Sequence, residues 1–297
     1  MEEKIITQEL MGEFVRYLIR EEKSAATCEK YLRDVRKFAE FLHGETVTKE
    51  RVMQWKRELV EGGYGVRSVN SMLASVNSLF GFRGWHECRV KNIRIQRQLY
   101  SAEDRELTRE EYLRLLRASE NNKQLNLVLQ TICATGIRVS ELQYFTVEAV
   151  RCGEITVNCK GKTRTILIPR QLTRYLLRYA REKHISCGPV FRSGRGKPMD
   201  RSTIWRQMKG LCLLAGVKAT KVFPHNLRKL FARTFYSLEK DIAKLADVLG
   251  HSSINTTRIY IMTTGVEHRQ TIERLGLIGY AYGQHNVNYV VTKCSTK

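Results

Sequence analysis

Proline is scarce in this sequence, at four of 297 residues, and no apolar run reaches the ~18 residues that a bilayer-spanning helix requires. The first absence leaves long stretches free to be helical, because proline both removes an amide donor and clashes with the preceding turn. The second argues against a helical membrane protein. The eight cysteines (Cys28, Cys88, Cys133, Cys152, Cys159, Cys187, Cys212 and Cys294) include no CxxC pair. That spacing is wrong for a zinc module or a disulfide framework, so reduced thiols are expected. The N-terminal stretch MEEKIITQELMGEFVRYL lacks the basic region, apolar core and small-residue cleavage site of a secretory signal, so a cytoplasmic location is expected.

What is present is charge, unevenly spread. Of 51 Lys and Arg and 30 Asp and Glu, residues 1–106 hold 19 and 17, leaving 32 against 13 from Leu107 onward. Almost the whole excess of +21 therefore sits in the C-terminal two-thirds. A field of that sign and size favours polyanions, nucleic acid or an anionic membrane surface.

The periodicity predicts a mainly α protein with a small antiparallel β-sheet (α+β), in two domains. From about Thr7 to Phe82, apolar positions such as Tyr31, Leu32, Val35, Phe38, Phe41 and Leu42 recur at helical spacing, which predicts a bundle of about four helices within residues 1–88. Residues 89–106, weakly periodic and basic in their first half, are expected to be a linker. A second domain, 107–275, opens at LTREEY, where Thr108 and Glu111 form a capping box and Leu107 with Tyr112 a hydrophobic staple. Within it EITVN and RTILIP read as a hairpin around a five-residue loop, CKGKT. Pro169 then opens QLTRYLLRYAREKH, and STIWRQMKGLCLLAG, PHNLRKLFARTFYSL, DIAKLADVLG and INTTRIYIMT are further helices. Residues 276–297 fit no period and remain a tail.

Several short segments carry residues suited to chemistry. His225 and Arg228 stand three apart in PHNLRKLFAR, on one face of a helix. In ATGIRVSELQYF, Arg138 precedes Glu141 by three and is expected to share a helical face with it. The hairpin loop offers Lys160 and Lys162. Its GKT is not a nucleotide-binding P-loop, since Thr156 stands where that motif needs a glycine and the loop joins two strands. In LADVLGHSSINTTRIYI, Gly250 stops a helix, His251 sits in the turn, Ser252 or Ser253 caps the next helix, and Tyr260 lies on it among Ile254, Ile259 and Ile261. Each alone is as well explained by packing or a solvated surface.

Together, TGIRVSEL, the strand–CKG–strand hairpin, PHNLR and LGHSSINTTRIY resemble, in order and wording, the tyrosine recombinase (integrase) family of DNA strand-exchange enzymes. The resemblance is strong from Leu107 to about Leu275, and the N-terminal helices look like the core-binding domain of that family. It implies that Tyr260 is the nucleophile, Arg138 and Arg228 the phosphate clamp and Lys160 the general acid. His225 and His251 would be hydrogen-bonding or proton-transfer partners, and Glu141 a support. Lys162 and Arg164 are expected to contact DNA. Lys229 departs from the family pattern, where a histidine is common. The implied partner is double-stranded DNA bearing recombination sites, with a homotetramer at synapsis, a monomer or weak oligomer when free, and no membrane. The tail 276–297 is expected either to dock on a neighbouring protomer or to be disordered. Beginning at its helical bundle, the chain resembles short Xer-like or simple mobile-element integrases more than members with a separate arm-site-binding domain.

The chemistry has a physical reason. A phosphodiester gathers negative charge on its non-bridging oxygens as it is attacked, and two fork-shaped guanidinium groups meet that need. A tyrosine hydroxyl, with an ordinary pKa of about 10, needs help to ionise, and the leaving 5′-oxygen needs a proton from an acid such as lysine. The resemblance implies no metal and no other cofactor, and no Asp/Glu cluster accompanies the motifs. Two other outcomes stay open from these motifs alone, a type IB topoisomerase-like activity and a catalytically silent DNA-binding accessory protein.

Overall fold

A computed structural model of the chain describes residues 3–96, 105–159, 162–262 and 265–277. The chain divides into two compact units, Met1–Arg97 and Gln98–Lys297. It is mostly helical, with one two-stranded antiparallel sheet among the described residues.

The N-terminal unit holds four helices, α1 (Gln8–Arg20), α2 (Ala25–Leu42), α3 (Lys49–Glu61) and α4 (Val66–Phe82). Thr7, Ser24 and Thr48 cap the first three through their side-chain oxygens, each satisfying an otherwise orphan amide. The apolar faces converge on Phe14, Phe38, Trp55, Leu73 and Phe80, with Phe38 4.9 Å from the Trp55 ring. One buried carboxylate interrupts this core: Asp34 pairs with Lys30 at 2.8 Å and accepts from the Ser75 hydroxyl at 2.9 Å. The stretch expected as linker is held at its start. Asn77 and Asn70 on α4 each use both amide atoms to grip the backbone of Val90 and Ile93.

In the second unit the Thr108–Glu111 capping box forms, opening α5 (Arg109–Ala118), and Leu107 and Tyr112 both join the core. Next come α6 (Lys123–Thr135), a 3-10 turn at Val139–Tyr144, α7 (Val147–Cys152), β1 (Glu154–Cys159) and β2 (Lys162–Leu167). The strands pair from Glu154↔Leu167 to Cys159↔Lys162, so the five-residue loop read from CKGKT narrows to positions 160 and 161. Those positions lie outside the described residues, as do part of the expected linker (97–104) and the tail from 278. Ile155, Val157 and Ile166 turn to the core while their neighbours face out, the period-2 pattern of a half-buried sheet.

Beyond Pro169 run α8 (Arg170–Glu182), α9 (Arg201–Gly210), α10 (Cys212–Ala215), α11 (Pro224–Glu239), α12 (Ile242–Leu249), α13 (Ile254–Tyr260) and α14 (Gly265–Glu273). The helix expected over STIWRQMKGLCLLAG breaks at Leu211 into α9 and α10, beside Gly210, a residue costly within a helix. Helix α6 is central, packed against α11 and α8. A smaller cluster of Ala232, Leu245, Leu249 and Tyr260 joins α11, α12 and α13. Among the described residues no helix is long and apolar enough to cross a membrane, and Cys28, Cys88, Cys133, Cys152, Cys187 and Cys212 are free thiols.

Candidate active site

The C-terminal ends of two helices shape the site. Helix α6 stops at Gly136 and α12 at Gly250, both in the left-handed region (φ 64° and 62°) that favours glycine. A Cβ on Gly136 would lie 2.3 Å from Phe231, so the glycine is also needed for helix α11 to approach. Each helix end exposes carbonyls that no further turn consumes.

Arg228, on the first turns of α11, takes these carbonyls. It is 1% exposed, contrary to the outward aim that its spacing from His225 suggests. One Nη donates to the Gly136 carbonyl, and the other to Leu249 O at 2.7 Å and to His251 Nε2 at 3.0 Å. A buried cation is tolerable here because two helix dipoles present their negative ends to it. Burial, then the neighbouring Arg138, lower its pKa to about 10, which leaves it charged at neutral pH. Its Nε has no acceptor among the described residues.

Arg138 does not share an α-helical face with Glu141. It caps the 3-10 turn that follows Gly136, because the left-handed glycine redirects the chain and buries Ile137. The pair nevertheless forms. Glu141, 3% exposed, accepts the Arg138 backbone amide at 2.7 Å and its Nη1 at 3.1 Å. The Nη2 of Arg138 donates to Gly250 O at 3.4 Å, and its side chain is part-exposed.

His251 follows Gly250. Its Nδ1 lies 2.9 Å from Thr257 Oγ1, and its Nε2 faces Arg228. Since a guanidinium only donates, Nε2 is the acceptor and Nδ1 carries the proton. Burial first, then Arg228, Arg138 and Arg164, hold its pKa at about 4. His225 keeps an exposed edge and lies parallel to the Phe223 ring, and its pKa is also lowered, by partial desolvation and then by Lys229 and Arg228. Both imidazoles are thus neutral at pH 7, and they flank one side chain. The Tyr260 ring stands 5.0 Å from His225 and 4.8 Å from His251, with Arg228 5.8 Å away.

Tyr260 is 8% exposed while Ile254 and Ile259 are about half exposed, so α13 buries its polar face and shows its isoleucines. That inversion is why Thr257, fully buried three residues before Tyr260, escaped the sequence reading; the spacing of three was the available signal. Lys229 pairs with Glu106 at 2.9 Å, and Asn226 holds Arg105 O at 2.6 Å, so the start of this unit is tied to α11 on either side of Arg228. Arg164 is turned inward to Glu141 rather than outward. Lys162 takes the first position of β2, and Lys160 lies outside the described residues. Among the described residues no group of three or more His, Cys, Asp or Glu forms a metal cage.

Arg138 and Arg164 thus share the carboxylate of Glu141, and Arg228 adds a third cation beside them, around a buried tyrosine and two neutral imidazoles. Such a cluster holds spare positive charge and calls for an anion. The chain is 32% identical over 288 residues to tyrosine recombinase XerA of Pyrococcus furiosus, covering 94% of this chain and 98% of that relative. It is 26% identical over 274 residues to tyrosine recombinase XerD of Staphylococcus aureus, covering 84% and 92%. A lambda integrase tetramer bound to a Holliday junction shares the fold, with a TM-score of 0.71 at 17% identity over 87% of this chain and 78% of that one. The pattern of the phage integrase N-terminal SAM-like domain matches residues 11–87. With the pattern of the catalytic portion matching residues 105–265, the chain belongs to the phage integrase family.

Proposed function

We propose that the chain is a site-specific tyrosine recombinase that cuts and rejoins DNA strands without metal or ATP. The observation that carries this reading is the convergence of Arg228, His225 and His251 on Tyr260, with Arg138 a near neighbour of Arg228 and His251. The Tyr260 oxygen attacks the phosphorus, a 3′-phosphotyrosyl bond forms, and the bond to the 5′-oxygen breaks. Lys160 gives its proton to that departing oxygen. Rejoining reverses the step with a 5′-hydroxyl from the partner strand, so the energy of the broken linkage is retained.

The two histidines divide the work. The His251 lone pair at Nε2 is taken by Arg228, which makes it a support for that arginine. His225 is neutral at pH 7, lies against Tyr260, and is the proton acceptor. Arg138 and Arg228 hold the non-bridging oxygens, where losing one such donor costs about 10²–10³ in rate. Lys162 contacts the DNA backbone. The partner is double-stranded DNA, and the working assembly is a homotetramer at synapsis, the state of the lambda integrase structure that shares this fold.

Tyr260→Phe is expected to abolish the denaturation-resistant protein–DNA adduct while leaving DNA affinity nearly unchanged; an adduct that persists removes Tyr260 from this role. Lys160→Ala is expected to cleave ordinary DNA very slowly but to recover on a substrate with sulfur at the bridging 5′ position, since a thiolate (pKa about 8.5 in cysteine) leaves without a proton. Exchange of strands between two sites, rather than relaxation of supercoils alone, separates this activity from a topoisomerase.

A further inference from the structure

Arg164 stands on β2, opposite Val157 and two positions after Lys162, the first residue of the strand. A surface arginine on such a hairpin would be expected to reach for phosphate. Its guanidinium is instead spent inside the protein. Nη2 donates to Glu141 Oε2 at 2.5 Å, the same oxygen that accepts the Arg138 amide, and Nη1 donates to Val248 O at 2.5 Å, near the end of α12. Its Cδ and Nε come within 2.5 and 3.0 Å of where a Cβ on Gly250 would lie. The side chain is 12% exposed.

Three segments therefore meet on one planar group: the turn bearing Arg138 and Glu141, the α12 end that precedes His251, and the strand adjoining Lys160. Electrostatics alone would not put a third guanidinium here, because Arg138 and Arg228 already repel one another. Glu141 offsets part of that charge, and only a fork can join a carboxylate to a carbonyl at a fixed separation.

We propose that Arg164 is a positioning residue, the strut that holds β1 and β2 in register with Arg138 and the His251 turn; Lys160, the acid proposed above, follows β1 directly in the sequence. The kinetic part of this assignment rests on the activity proposed above; the structural part does not. Arg164→Lys keeps the charge and loses the fork. In the free protein, it is expected to speed amide hydrogen exchange in residues 154–158, 163–167 and 246–251, with α5 and α8 unchanged. On DNA, it is expected to lose about 10²-fold in cleavage rate, the size that a ~1 Å displacement of reacting groups brings. The 5′-thio substrate should recover much of that loss, and the salt dependence of binding should stay as in the parent protein.

Arg164→Gln, which retains one donor, provides a second variant with the same expected pattern. Unchanged exchange in all three segments overturns the strut whether or not Tyr260 forms an adduct. So does a fall in the salt slope by about 0.9, the signature of one lost phosphate contact, with cleavage at saturating DNA intact. Persistence of the adduct in Tyr260→Phe, by contrast, removes the proposed activity and leaves the exchange result standing.

Discussion

The two units of this chain solve the problem of a buried charge in opposite ways. In the N-terminal unit Asp34 is buried beside its own counter-ion, Lys30 four residues earlier on the same helix, with a serine hydroxyl completing its shell. Around it the core is aromatic and aliphatic, and the charge is nearly balanced. In the C-terminal unit Arg228 is buried more deeply, and its hydrogen-bond partners are carbonyls and an imidazole. A charge with its own counter-ion is spoken for, whereas a cation held by dipoles keeps its attraction for an incoming anion. The first arrangement leaves no free charge, and the second suits the anion binding proposed for Arg228.

The sharpest break of this contrast is Gly136→Ala. The left-handed backbone costs an alanine about 1–2 kcal/mol, and overlap with Phe231 adds about 1–3 kcal/mol. Because the Gly136 carbonyl holds Arg228, adduct formation per folded molecule should fall by a further ~10²–10³, as when a preplaced donor is lost. A melting curve together with single-turnover cleavage checks both parts, and a variant that loses stability alone would detach Gly136 from the chemistry.

Phe38→Ala tests the other side. Truncating a fully buried phenylalanine costs about 3–5 kcal/mol, comparable in stability to the glycine change, and denaturant unfolding measures it. Here the rate at saturating DNA, corrected for the folded fraction, should stay at the parental value. A tenfold fall, about 1.4 kcal/mol on the barrier, would mean that this core also positions reacting groups.

The smallest effect sharpens the contrast by pH. His251 is held at about 4 and His225 below its usual value, while an unfolded chain titrates near 6.5. As pH falls through about 6.5 the unfolded state takes up protons first, so stability declines from there toward pH 4 and is fully present above that window. Thermal melting across the window should show the loss, and His251→Gln should reduce it. An unaltered slope in that variant would remove His251 as a source.

The helices were legible because their apolar spacing and their caps are local properties. Thr108 with Glu111 marks a helix start within four residues, and Gly250 and Ser253 frame the turn before α13 in the same way. The candidate residues were legible by resemblance, since His225, Arg228, His251 and Tyr260 stand in recognisable words. Their environments were not. Nothing local tells that Arg228 turns inward, because its partners come from residues 92 and 21 positions away. The reading of Arg138 on a helical face failed at Gly136, whose left-handed turn ends α6 one step too soon. Arg164 was read as an outward cation for want of any sign that Glu141 lay beneath it.

The carbonyl cradle of Arg228 also bears on how such a protein can change its target. Main-chain dipoles recognise a guanidinium whatever lies beyond it, and a guanidinium meets a phosphate the same way at every nucleotide. Nothing in this cradle distinguishes one base from another. The address must be written elsewhere on the surface, which leaves address and chemistry free to evolve, or to be re-engineered, separately.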